Sequence, residues 1–343
     1  MSLPAPIRAA LKLPAVCAPM FLVSGPALVR EACLAGLVGG LPRQNARTLS
    51  EFESWLAEIS SATERFEGET GTAAGPLAVN LATRVREDEL SQNFDLCARY
   101  GVKIVITVGG DPTDLIRRAH DVGLLVFHDV TSLRFAEKAI SAGVDGLNCI
   151  GAGGGGHSGT LSHLAMIPKI RSMFDGVIVM GGAVSNGVTI RAAEVLGADL
   201  AYLGTRFIAT RESMAPQAYK DMLVSQGSSD LAYTDRIAGV AANWLVESMR
   251  MVGLDPTDLP LPTGRGMRHD HLPAQAEPWK NIWSAGQGID LIDDVPTVRD
   301  LVLRLRAQYV AACRVPDMSD QACTGCLTSK VPTIDPQAEE ASR

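Results

Sequence analysis

Along the first 205 residues, short apolar runs alternate with stretches whose apolar positions recur at helical spacing. The runs AVCAPM (15–20), LVGGL (37–41), LAVNL (77–81), KIVITV (103–108), LLVFH (124–128), DGLNCI (145–150), VIVMG (177–181) and DLAYLG (199–204) predict strands. Between them, PALVREACLAG, DELSQNFDLCARYG, PTDLIRRAHDVG, SLRFAEKAISAG and NGVTIRAAEVLGA predict helices. Several of these close on a small residue, a glycine, a Val, Leu or Ala and an Asp, so that glycine ends the helix and the next strand begins. The strands are continuous apolar runs rather than alternations, the pattern of a parallel sheet covered by helices. Eight such units in sequence count out an α/β fold, a TIM-like (β/α)8 barrel, over residues 1–211. An open doubly wound sheet normally reverses its topology after fewer strands.

Beyond about residue 210 the rhythm changes. Residues 212–285 read as irregular helix broken by the Pro-rich connections LDPTDLPLPTGRG and HDHLPAQAEPW, an inserted helical subdomain over the barrel mouth. VPTVRDLVLRLRAQYVAACR is one amphipathic helix with proline in its first turn, so 286–313 is expected to return and pack on the barrel. Residues 314–343 are expected to form a flexible tail.

Composition narrows the function. Hydrophobic residues make up 46% and charged residues 20% of the 343, which is globular, and the 33 glycines favour close backbone–ligand contacts. A net charge of −7 without a basic stripe argues against a nucleic-acid partner. No apolar run approaches the ~18 residues of a membrane helix. The opening MSLPAPIRAALKLPAV lacks a signal-peptide core, and seven cysteines without framework spacing suit a reducing compartment, so a cytoplasmic location is expected.

The stretch with the strongest chemical signal is IGAGGGGHSGT at 150–160. It formally matches the G-x-G-x-x-G dinucleotide loop, but it follows the sixth strand and the next helix starts near Ser162, after His-Ser-Gly-Thr. After strand 6 of a barrel the loop lies on the catalytic face. Its glycines would let backbone lie against a planar cofactor, and His157 would serve proton transfer near neutral pH. The seventh and eighth strands run into GGAVSNG and LGTRF, where this fold commonly holds a phosphate; Gly181, Gly182, Gly204 and the Thr205 hydroxyl suit that role.

AVNL, GGGGHSG, VMGGAVSNG, GADLAYLGTRFIATRES and NIWSAGQGIDLIDD resemble the FMN-dependent nitronate monooxygenases, also called 2-nitropropane dioxygenases, over residues 14–310. That group includes NAD(P)H:quinone reductases and flavin-dependent enoyl-acyl-carrier-protein reductases. The resemblance implies a barrel with non-covalent FMN and a substrate site on the exposed face of the flavin. It places Ala18, Pro19 and Met20 beside the isoalloxazine, and Asn80 in hydrogen-bond contact with it. It makes Gly155, with its neighbour Gly156, a backbone contact in the histidine loop, and His157 the active-site histidine. Gly181, Gly182, Gly204 and Thr205 become the phosphate cradle, and Gln287 returns to the flavin from the late segment.

The implied activity is oxidation of alkyl nitronates or nitroalkanes with O2, with His157 removing the α-proton or stabilising the nitronate. The alternative is NAD(P)H-dependent reduction of a quinone or enoyl acceptor on the same site, and a flavin-binding protein without turnover is a third reading. Three positions depart from the family pattern: Gly153 stands where the loop usually carries an acid, Ile150 where a polar residue precedes it, and Asp129 where the quinone reductases carry lysine. The expected partner is a small molecule, with homodimerisation left open.

Around this core, His128 ends strand 5 and is expected to face the mouth, as a satisfied core histidine or a second active-site donor. Trp283 and Ser284 are expected beside the substrate, with an ordinary core role for the tryptophan equally open. His120 reads as structural, HDH at 269–271 as a solvated loop, and CTGC at 323–326 as an inert thiol pair, so no metal is expected.

Overall fold

The computed structural model describes residues 3–262, 264 and 269–314. Eight strands close into one parallel barrel in sequence order, β1 (Ala15–Cys17), β2 (Val38–Pro42), β3 (Leu77–Ala82), β4 (Ile104–Val108), β5 (Leu125–Val130), β6 (Gly146–Ile150), β7 (Val177–Gly181) and β8 (Leu200–Leu203). The short α1 (Ala5–Ala10) precedes them, and α2 (Pro26–Leu34), α3 (Leu49–Thr70), α4 (Glu87–Arg99), α5 (Thr113–Asp121), α6 (Leu133–Ser141), α7 (His163–Arg171) and α8 (Gly187–Leu196) connect them. The TIM-like barrel read from the sequence is the observed fold. Strand 1 ends at Cys17 rather than residue 20, since Pro19 has no N–H to continue a ladder.

Alternation along each strand divides the core in two. Val16, Val38, Ala78, Ile104, Ile106, Phe127, Val177, Val179 and Leu200 fill the barrel, and Leu3 and Ile7 plug its lower end from the side of α1. The intervening positions, such as Val79, Val105, Val126, Leu147, Ile178 and Ala201, pack outward against the helices. The Asp closing two of the Gly-Val/Ala-Asp junctions has a shared task. Asp145 accepts from Val126 N at 2.7 Å and Asp199 from Ile178 N at 3.0 Å, each tying its strand start to the preceding strand. Each has a cationic or basic partner, His120 at 2.8 Å and Arg171 at 2.6 Å, which confirms a structural role for His120.

After β8 follow α9 (Thr205–Ile208) and α10 (Gln217–Ser225). The segment read as irregular helix also contains an antiparallel pair, β9 (Leu231–Thr234) and β10 (Ala242–Leu245), before α11 (Val246–Met251). Four-residue strands are too short to establish a period of two, and this is why the sequence pattern hid them. Finally α12 (Val298–Ala312), whose N-cap Thr297 accepts from Asp300 N through its hydroxyl, packs against α8 and α2. The expected tail lies outside the described residues apart from Arg314, and so does CTGC. No helix among the described residues is long and apolar enough to cross a membrane.

Candidate active site

The catalytic face of the barrel is built from the strand ends two residues above its apolar filling. Period two places Asn80 above Ala78, Val108 above Ile106, Asp129 above Phe127, Gly181 above Val179 and Tyr202 above Leu200, all facing inward. Asn148 also faces inward, because Leu147 and Cys149 on either side pack with the helices. Asn80 donates from Nδ2 to Ile106 O at 3.2 Å, and Asn148 Nδ2 donates to Asp129 Oδ1 at 2.8 Å. A polar floor therefore closes the apolar core just below the mouth.

The same alternation corrects the reading of His128. Its side chain points outward between β4 and β5, is buried, and its Nδ1 lies 2.7 Å from Thr107 Oγ1. Burial pushes its pKa below the ordinary histidine range, opposed by the charge of Asp111. It is a satisfied core histidine, not a second donor at the mouth.

The glycines of the 150–160 loop serve mainly to let three segments meet backbone to backbone. Gly153 O accepts from Gln287 N at 2.9 Å and from Ala183 N at 3.2 Å, joining the loops after β6 and β7 to the returning segment. A Cβ on Gly155 would sit 2.8 Å from Gly286 N, and Gly182, at φ +120°, would place one 3.0 Å from Gly154 N. Gly156 and Gly204 differ. A Cβ on Gly156 would meet nothing within 4 Å, and on Gly204 nothing nearer than Met20 Sδ at 3.7 Å. Those two leave open space at the mouth. Thr205 Oγ1 accepts from Gly286 N at 2.8 Å, which leaves its own proton to donate outward.

His157 is held from an unexpected side. Strand β10 lies between β9 and two further segments: His157 bridges Ala242, and Trp244 bridges Ser284. Ser158 N donates to Ala241 O at 3.2 Å, Asn243 Nδ2 to Gly154 O at 2.7 Å, and Tyr233 Oη to Ser158 O at 3.0 Å. The His157 ring meets Trp279 edge to face, with centroids 5.3 Å apart at 86°. Its Nε2 is buried without a partner, and burial lowers its pKa, so the imidazole is neutral at physiological pH.

Of the late residues, Gln287 is exposed and lines an open cavity of about 450 Å³ with Ser228, Leu231, Tyr233 and Asn243. Trp283 is packed in the core, stacked on Tyr219 at 5.0 Å with its Nε1 on Lys280 O, so the core reading of this tryptophan is the observed one. Ser284 is buried and its carbonyl accepts from the Tyr219 hydroxyl. The aromatic beside the histidine is Trp279, four positions earlier in EPWKNIW and itself at φ +62°. Trp279 and Asn243 carried no sequence signal. Asn148 did, as a lone amide inside an apolar strand, like Asn80.

The expected contacts of strand 1 stand at the mouth. Ala18 N donates to Leu203 O at 2.9 Å, Pro19 packs on Gly40, and Met20 N donates to Ser24 Oγ at 3.0 Å. Asn45 fastens this turn by donating to Met20 O and Ser24 O. The GTRFIATRES segment is a fastener too. Arg206, 2% exposed, donates to Ala209 O and Asp294 O at 3.0 and 2.8 Å, and Glu212 accepts from Val298 N at 3.0 Å. These bonds fix the returning segment over the loops that meet at Gly153.

Comparison with known proteins agrees with this architecture. The profile of the family described as nitronate monooxygenase matches residues 12–308. Among curated relatives, a (3aS,4S,5R,7aS)-5-hydroxy-7a-methyl-1-oxo-octahydro-1H-indene-4-carboxyl-CoA dehydrogenase of Rhodococcus jostii is 27% identical over 227 residues, covering 66% of this chain and 61% of that protein. A nitronate monooxygenase of Pseudomonas aeruginosa is 28% identical over 217 residues, covering 58% and 62%. The chain thus spans about three-fifths of the length of these relatives. The structure of nitroalkane oxidase from Streptomyces ansochromogenes superposes with a TM-score of 0.70 at 24% identity, covering 89% of this chain and 97% of that one, which shows a shared fold. With the profile running from before β1 into α12, the chain belongs to the nitronate monooxygenase family.

Proposed function

We propose that the protein is an FMN-dependent oxidoreductase that oxidises alkyl nitronates, and the nitroalkanes that give rise to them, with O2. The observation that carries this reading is His157: a neutral imidazole with a buried, unpartnered Nε2, carried by a glycine loop at the C-terminal mouth of the barrel. The residues fit a flavin. Gly156 and Gly204 leave room that a side chain would fill, Thr205 keeps a proton to donate toward a phosphate, and Gln287 borders the open cavity. Ala18, Met20 and Asn80 would flank the ring, with Gly181 and Gly182 completing the phosphate cradle. When bound, FMN supplies the redox chemistry, taking electrons from the substrate and passing them to O2.

His157 would take the α-proton of a neutral nitroalkane onto the free lone pair of its ring. The imidazolium formed is disfavoured by the same burial that lowers its pKa, so it persists only while the nitronate oxygens accept its N–H. Proton removal and anion stabilisation therefore fall to one group. Trp279 against the ring edge and the Ala242 bridge hold the imidazole in place and keep water from that side.

A second reading is supported by the carboxyl-CoA dehydrogenase relative. In it the same mouth exchanges electrons between NAD(P)H and a quinone, enoyl or thioester substrate. The test is anaerobic: NADH, NADPH and propyl nitronate are each added to the purified flavoprotein while the visible flavin band is followed. Loss of the band with propyl nitronate alone, restored by air, is the expected result. Rapid bleaching by either nicotinamide would replace the oxidase reading with the reductase one. A His157→Gln variant should keep its flavin and lose about 10²- to 10⁴-fold in turnover of the neutral nitroalkane.

A further inference from the structure

The floor of the mouth contains a carboxyl that the proposed reaction does not use. Asp129 faces inward from β5 and is only partly buried, so it is reached from the mouth. Its register partners are Val108 on β4 and Asn148 on β6. Asn148 supplies its one hydrogen bond, and no ion pair forms at Asp129 among the described residues. Across the barrel stands Tyr202, whose phenol feels the carboxyl, and behind the strand lies the Cys149 thiol; burial pushes both up, so both are neutral. Asn148, 1% exposed, has its Oδ1 buried without a donor.

The Asn148 amide can meet Asp129 in either protonation state. The two ends of an amide are nearly equal in size and shape, and only hydrogen bonding distinguishes them. With Asp129 ionised, Nδ2 must face it and Oδ1 stays unsatisfied. With Asp129 protonated, the amide can turn, and its oxygen accepts the carboxyl O–H. Turning the amide moves the unmet position from Oδ1 to Nδ2, so the amide serves either state, and the protonated state is the one that places no charge on a floor without a cation. Burial acts in the same direction, raising the carboxyl to about 7 against the opposing effect of the Asn148 bond.

We propose that Asp129, held by Asn148, is a protonation-controlled selectivity gate: neutral, it admits an anionic ligand to the mouth, and ionised, it repels one. Only the proton between Asp129 and solvent is exchanged. A unit charge within several ångströms at an effective dielectric constant of about 20 changes the affinity of a monoanion on the order of tenfold to a hundredfold. The other titratable groups of the mouth, His157 and His163, are pushed below the ordinary histidine range by burial. Both therefore titrate below their ordinary range, and the Asp129→Asn variant separates their contribution to anion binding from that of the carboxyl.

The experiment uses the purified flavoprotein and two probes, nitrate as a planar monoanion and nitroethane as a neutral counterpart, with binding read from perturbation of the flavin spectrum. Nitrate should bind at least tenfold more tightly near about pH 6 than near about pH 8.5, nitroethane equally at both, and Asp129→Asn should flatten the nitrate profile. In parallel, the infrared carbonyl band of a protonated carboxyl should disappear from the wild type over the same range. An equal nitrate profile in wild type and variant, no nitrate binding at either pH, or no carboxyl band that titrates there would overturn the gate. The infrared measurement keeps the test decisive even if the variant fails to fold. The gate does not depend on nitronate turnover: a titrating carboxyl in a protein inert to propyl nitronate would sink the oxidase reading and leave the gate standing.

Discussion

Neighbouring glycines in the histidine loop should respond differently to the same substitution. A methyl group at Gly155 would sit 2.8 Å from Gly286 N, 3.0 Å from Ala285 C and 3.2 Å from Thr205 Oγ1. The first two are backbone atoms of the returning segment, which Arg206 and the Gly153 carbonyl hold in place. Neither can rotate away as a side chain tip could. Gly155→Ala must therefore part the two segments, straining the Gln287 N–Gly153 O and Gly286 N–Thr205 Oγ1 bonds of 2.9 and 2.8 Å. Overpacking against rigid backbone costs about 1–3 kcal/mol, and loss of one of those bonds adds about 1 kcal/mol. At Gly156 the methyl meets nothing within 4 Å and φ is not positive, so Gly156→Ala should change stability by less than about 0.5 kcal/mol. Its methyl would instead occupy space assigned to the flavin. Chemical denaturation of the apoproteins and FMN titration of each separate the two effects. Gly155→Ala should lose about 2–4 kcal/mol of stability, and Gly156→Ala about tenfold or more in flavin affinity with stability intact. Equal stability in both apoproteins would refute the backbone-contact argument, and full FMN affinity in Gly156→Ala would remove that glycine from the cofactor site.

Other consequences can be checked in the same assays. Asp129→Asn should stabilise the protein at alkaline pH: the folded carboxyl at about 7 lies above its ordinary 3.8, so the folded state loses stability as pH rises between those values. The variant's advantage, on the order of 2 kcal/mol after allowing for solvent access, should be full above pH ~7 and vanish near pH ~4 in pH-resolved melts. Arg206→Met should cost about 3 kcal/mol because it strands the Asp294 and Ala209 carbonyls, whereas Arg304→Ala, which breaks a half-exposed pair with Asp294, should cost under about 1 kcal/mol. Asn243→Leu removes the donor to Gly154 O and should cost about 2 kcal/mol; unchanged stability there would show that water replaces the amide.

The barrel was legible because each strand is an apolar run closed by a helix of clear period, and the count of eight needed no long-range information. The histidine loop was legible because a run of glycines before one imidazole marks close backbone contact beside a placed side chain, although most of that contact proved to be with other segments of the chain. What holds the loop was not. Asn243, Trp279 and the Ala242 bridge lie in a segment with four-residue strands and Pro-rich joints, and their partners are distant in sequence. His128 shows the opposite limit. Its place at a strand end suggested the mouth, but the face it takes depends on a register that Phe127 and Asp129 settle only in three dimensions. Within one short motif it is Trp279 that meets the histidine and Trp283 that packs in the core, since sequence spacing in a loop does not fix direction.

The support of His157 by strand β10 has a consequence for how the protein is made. Asn243 reaches back 89 residues to Gly154, and Gly286 reaches back 81 to Thr205. A chain still being synthesised can close all eight barrel strands before either contact exists. At that stage the histidine loop lacks its scaffold, and the Gly153 carbonyl can meet Ala183 but not Gln287. The loop that carries His157 thus gains its support only once residues 243 and 286 have been made.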